Sequence, residues 1–135
     1  MINKKFIFPK KEHLCGEIRI GKLFVEGTAF IVYPLRVVYR ISNETDVPVK
    51  VMISAPKKRF KRAVKRNRLK RLIRESYRLN KSILIEKCIE KNINIQIAFN
   101  YIADIELDFN TIQTKMRIAL TKISESVENL TEKNK

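Results

Sequence analysis

The sequence predicts an α+β domain in which helices pack on a small sheet, and three observations carry that prediction. Residues 35–41, 49–55 and 93–99 are rich in β-branched and aromatic types, and the last two alternate apolar and polar side chains as half-buried strands do. From residue 109 onward apolar residues recur in steps of three and four, the spacing of an amphipathic helix. Between the second and third strand segments lies a run, Lys57 to Arg78, whose basic residues are interrupted by apolar ones at helical spacing. The order is helix, strands, helix, strand, helix. With 135 residues, 44% of them hydrophobic, the chain can build one domain with a real core. We read 1–130 as that domain and 131–135, TEKNK, as a frayed tail.

Each element has its own reason. Residues 1–13 are basic and read as extended, with Pro9 as a breaker. Residues 15–26 read as a short helix with Ile18, Leu23 and Phe24 on one face, and Gly27 as its stop. Pro34 interrupts the stretch 30–41, so a short piece precedes it and a strand follows at 35–41. SNETDVP is a connecting turn. In 49–55, Val49, Val51, Ile53 and Ala55 alternate with Lys50, Met52 and Ser54. Ser82 is placed to cap a helix over 82–91. In 93–99, Ile93, Ile95, Ile97 and Phe99 point one way, and Asn94, Gln96 and Ala98 the other. Phe109, Ile112, Met116, Ala119, Leu120, Ile123 and Val127 form the stripe of the last helix, and Asp108 is its cap.

Charge points to a partner. Residues 57–78 hold twelve of the 29 lysines and arginines and one acid, Glu75, so this segment carries +11 of the net +15. Charge so localised makes a binding face. At about 100° per residue with Leu69 at zero, Leu72, Ile73, Ser76 and Tyr77 fall within roughly 80° of it. Asn67, Lys70, Arg71, Arg74 and Arg78 fall on the opposite arc, flanked by Arg66 and Arg68. Lys65 and Arg62 would land on the apolar side, so the regular helix is expected to begin near Lys65, with 57–62 as a basic loop. A charged helix face is ordinarily solvated, with acids offsetting bases. Here almost no acid does so, and a polyanion would relieve the repulsion. Guanidinium forks match phosphate oxygens, and the helix N-terminus favours an anion near Arg66. Charge does not separate RNA from DNA.

Other classes are disfavoured. No run of about 18 apolar residues predicts a membrane span. The N-terminal residues lack an apolar core of signal-peptide length, so a cytoplasmic protein is expected. Cys15 and Cys88 are isolated and read as reduced core thiols, without the paired spacing of a zinc site. The lone histidine, His13, has no evident partner and reads as solvated. Asp104, Glu106 and Asp108 sit where acids complement a helix dipole. No acid–base set for a self-sufficient hydrolase is visible.

The run Lys57-Lys58, four residues, Ala63, two residues, then Arg66-Asn67-Arg68-Leu69-Lys70-Arg71-Leu72-Ile73-Arg74-Glu75 resembles the signature of the bacterial ribonuclease P protein subunit. LCGEIRIGKLFVEGTAF is similar to that family's N-terminal helix and following turn, and VKVMISAPKK to the strand feeding the signature. The resemblance implies an αβββαβα sandwich related to the second domain of a small-subunit ribosomal protein, with a left-handed βαβ crossover. It implies removal of 5′ leaders from precursor tRNA by a catalytic RNA that holds magnesium, with no catalytic side chain from the protein. It implies contact with that RNA by Lys57, Lys58, Arg62, Arg66, Asn67, Arg68, Lys70, Arg71 and Arg74. It also implies a cleft for the single-stranded leader, between sheet and first helix, at Phe24, Val37, Tyr39 and Ser54. No protein partner is implied. Met52 stands where the family often has glycine, and Pro56 where a small residue is usual. Two alternatives stay open on composition alone: a ribosomal-type structural RNA-binding protein, and a DNA-binding module with its basic helix in the major groove.

Overall fold

The computed structural model describes residues 8–14, 17–42 and 47–133. Helix α1 spans Glu17–Glu26, strand β1 Thr28–Val32, β2 Leu35–Ile41 and β3 Val49–Ser54. Helices α2, Ala63–Asn80, and α3, Ser82–Lys91, follow, then strand β4, Ile95–Tyr101, and helix α4, Phe109–Lys133. The strands form one mixed sheet in the order β1-β2-β4-β3. β1–β2 and β2–β4 are antiparallel, while β3 and β4 are parallel and joined through α2 and α3.

Register sorts the side chains onto two faces. Phe30, Val37, Phe99 and Ile53 lie in one row, and Tyr39, Ile97 and Val51 in the next. This face is sealed by α2, α3 and α4 through Leu69, Ile73, Leu84, Ile112, Met116 and Leu120, all fully buried. The opposite face carries Val38, Ala98 and Met52 in its middle row. There α1 packs through Leu23 and Ile20, with Leu14 beside them, forming a second and smaller core. Gly27 ends α1 because the chain turns there with its N–H on the Leu23 carbonyl at 2.8 Å. A side chain at that position would collide with the Leu23 carbonyl and with Val38.

Several boundaries depart from expectation. Pro34 does divide β1 from β2. Ser82 does not cap α3, because Lys81 is helical and serves as the single-residue joint between α2 and α3. Lys81 is buried and paired with Glu12 at 2.9 Å. The fourth strand begins at Ile95, two residues late, because Asn92 takes a left-handed conformation (φ 55°) to close α3. The Asn92 and Ile93 N–H groups are consumed by the last carbonyls of α3. Residues 131–133, expected to fray, continue α4. Asp108 caps that helix as expected, its Oδ1 accepting from the Thr111 N–H at 2.9 Å. His13 is not free in solvent: it is half-buried, stacks on Phe8 at 4.2 Å and bridges to Val51 at the sheet edge. Cys88 is a buried free thiol, whereas Cys15 and most of the 42–48 turn lie outside the described residues.

Candidate nucleic-acid interface

The basic helix begins at Ala63, two residues earlier than the wheel suggests. Its inner stripe is Leu69, Ile73, Ser76, Tyr77 and Asn80, with Leu72 half-buried beside it. Asn67, Arg68, Arg71 and Arg74 are exposed, and Lys70 is half-exposed. Arg78 does not join that array, since it pairs with Glu75 one turn back. The paired charges hold Glu75 below the ordinary carboxylate range, chiefly through the Arg78 hydrogen bond.

The loop preceding α2 is ordered by specific contacts. Pro56 offers its carbonyl to the N–H groups of Arg59 and Phe60, at 3.1 and 3.2 Å. The Phe60 ring is buried against Tyr101, ring centroids 5.8 Å apart. Arg66 turns back and donates Nη1 to the carbonyls of Phe60 (2.8 Å) and Lys61 (2.9 Å). Arg66 is thus engaged in holding the loop. Lys57, Lys58, Lys61 and Arg62 are left exposed around it. None of Lys57, Lys58, Arg62, Arg68, Lys70, Arg71 or Arg74 has an acidic partner among the described residues.

The expected leader cleft is rearranged. Phe24 lies on α1 and is 40% exposed. Ser54 is on the face that α1 covers, its hydroxyl donating to Asn100 Oδ1 at 2.5 Å. Val37 and Tyr39 are not on that face. Val37 is fully buried in the larger core, and Tyr39 packs edge-on to Phe30 on the same side. The exposed part of Tyr39 borders a cavity of about 650 Å³ with Thr28, Ile41 and Ser126. What does lie beyond α1, toward the start of the basic loop, is the row Ile31, Arg36, Asn100, Ser54. Ile31 and Arg36 are exposed, and the chain leaves Ser54 directly into the Lys57–Lys58 loop. Sequence reasoning missed Arg36 because Val37 and Val38 are both buried, so alternation could not say which neighbour faced α1.

The described residues offer no carboxylate set suited to magnesium. Asp104 is paired with Arg59, and Asp108 is spent on the α4 cap.

The family model described as Ribonuclease P matches residues 8–124. The chain belongs to the ribonuclease P protein family. It is 46% identical over 130 residues to the ribonuclease P protein component of Porphyromonas gingivalis strain W83, covering 96% of this chain and 95% of that one. It also shares the fold of the RNase P protein from Thermotoga maritima, with a TM-score of 0.66 at 24% identity over 82% of this chain and 96% of the other. A Staphylococcus aureus RNase P protein superposes with a TM-score of 0.63 at 22% identity, covering 84% and 94%. Membership in the ribonuclease P family makes this chain the protein subunit of a ribonucleoprotein endoribonuclease that processes precursor tRNA, with the bond broken by RNA.

Proposed function

We propose that the loop 57–62 and the outer face of α2 grip the catalytic RNA, while the open row of the sheet beside α1 takes the single-stranded 5′ leader. The observation that carries this reading is the continuity of the two surfaces. Exposed cations without acidic partners among the described residues run along α2 and its loop, and Ser54, in the Arg36 row, leads into that loop through Ala55 and Pro56. Lys57, Lys58, Arg62, Asn67, Arg68, Lys70, Arg71 and Arg74 supply phosphate contacts to a folded RNA. The uncapped first turn of α2 adds backbone N–H groups beside them. Arg36 is suited to a leader phosphate, Phe24 and Ile31 to the faces of unpaired bases. Magnesium is held by the RNA in this reading, and the particle works in the cytoplasm.

Reconstitution tests it. The protein with its cognate RNA should cleave precursor tRNA at lower magnesium than the RNA alone, and no rescue would sink the proposal. Arg36→Ala should weaken binding of precursor tRNA with a long leader while leaving mature tRNA binding unchanged. Equal loss for both substrates would remove the leader from this row.

A further inference from the structure

Two loops meet at the rim of the sheet below the basic helix. One is the 56–62 loop. The other joins β4 to α4 and carries Asp104. Tyr101 organises both. Its ring packs against Phe60 of the first loop. Its hydroxyl donates to the Ile105 carbonyl at 2.6 Å and accepts from the Leu107 N–H at 3.0 Å, so the second loop is pinned from within. The Ile102 N–H is bonded to the Pro34 carbonyl at 2.8 Å, and Ala103 is buried. Asp104 is therefore displayed from a fixed segment, and its Oδ1 accepts from Arg59 Nη1 at 2.7 Å.

We infer that Asp104 is a positioning residue for the catalytic-RNA contact: through Arg59 it closes a bracket that holds the 57–62 loop in one pose. The inference rests on the proposed role of that loop. An acid beside a polyanion-binding surface carries an electrostatic penalty, because it repels phosphate. Its place here is explained if the geometry it imposes outweighs that repulsion. Beside the Phe60 ring on Tyr101, the Pro56 carbonyl and the Arg66 contacts to two loop carbonyls, Asp104–Arg59 adds an ion pair that reaches the loop from the β4–α4 connection.

The two effects of Asp104 have opposite signs, so one neutral substitution separates them. Asp104→Asn in the full-length protein should weaken binding to the catalytic RNA by about two- to five-fold, the range of an exposed ion pair. If the residue acts only as a charge, the same change should tighten binding. Unchanged or tighter binding overturns the inference. Asp104→Glu should recover part of the lost affinity. Tryptic cleavage after Lys57, Lys58 or Lys61 in the RNA-free protein should accelerate in Asp104→Asn without a matching fall in Tm, and unchanged cleavage counts against the bracket. Lys58→Ala with Arg62→Ala serves as the separate control. If that pair leaves RNA binding intact, the loop is not at the interface, and the inference falls with the reading it rests on. If the pair weakens binding while Asp104→Asn does not, the inference alone fails.

Discussion

Tyr77 is wholly buried between Phe8 and Phe99, and its hydroxyl finds no hydrogen-bond partner among the described residues. An orphaned hydroxyl costs more than it returns, so Tyr77→Phe should stabilise the fold by about 1 kcal/mol in chemical denaturation. Burial also pushes the Tyr77 hydroxyl well above its usual range. The Cys88 thiol is pushed from 9.0 up to about 12 by the same desolvation. In both cases the folded state favours the neutral form. The stability each confers is complete below the unfolded-state value and is lost as pH rises through the folded one. Stability should therefore fall between about pH 9 and 12, and Cys88→Ala should flatten that limb of the pH–Tm curve. Asp108 behaves in the opposite sense. Hydrogen bonds from the Thr111 hydroxyl and N–H hold its carboxyl below the ordinary range. Its contribution is present above the unfolded value and is lost as pH falls through the folded one, so Asp108→Ala should lower Tm at neutral pH and blunt the acid limb.

At the scale of the element, α2 divides its labour along its own circumference. Leu69 and Ile73 anchor it, fully buried. Leu69→Ala should cost about 2–5 kcal/mol of stability, and half-buried Leu72→Ala less than Leu69→Ala, both read from denaturant midpoints. Arg68→Ala with Arg71→Ala should leave the fold intact and lower the salt slope of catalytic-RNA binding by about 1–2 units. The helix was legible because its apolar stripe and basic arc follow from periodicity, and periodicity likewise marks β3 and α4, whereas β2 shows only by its β-branched and aromatic composition. What escaped was set by tertiary partners. Arg66 sits on the flank of the basic arc, yet it faces two carbonyls of its own preceding loop, a contact no periodicity encodes. Arg59 reads as one more base until Asp104 arrives from 45 residues away. Val37 and Tyr39 have leader-like chemistry, but the paired valines in β2 hide which face each residue serves. Asn92 reads as a loop residue until its left-handed backbone shows it closing α3 and delaying β4.

Across the whole molecule, the sheet separates two tasks. One face meets three helices and supplies most of the apolar burial; the other, among the described residues, meets α1 and Leu14 and leaves Ile31 and Arg36 exposed. On the proposed reading, stability and leader contact fall to different sides of one layer, so variants at Arg36 or Ser54 should alter precursor-tRNA binding with small changes in Tm. The strand order has a further consequence. β4 lies between β2 and β3, although it follows both in the chain. During synthesis the polycationic segment therefore emerges from the ribosome before the strand that completes its platform. Until about residue 101 has been made, β2 and β3 have no common neighbour to hold them side by side. A nascent chain halted short of that point would present its cations on an unfinished scaffold, able to attract ribosomal RNA without selectivity, and discrimination among RNAs would arise only when the last strand slots into the middle.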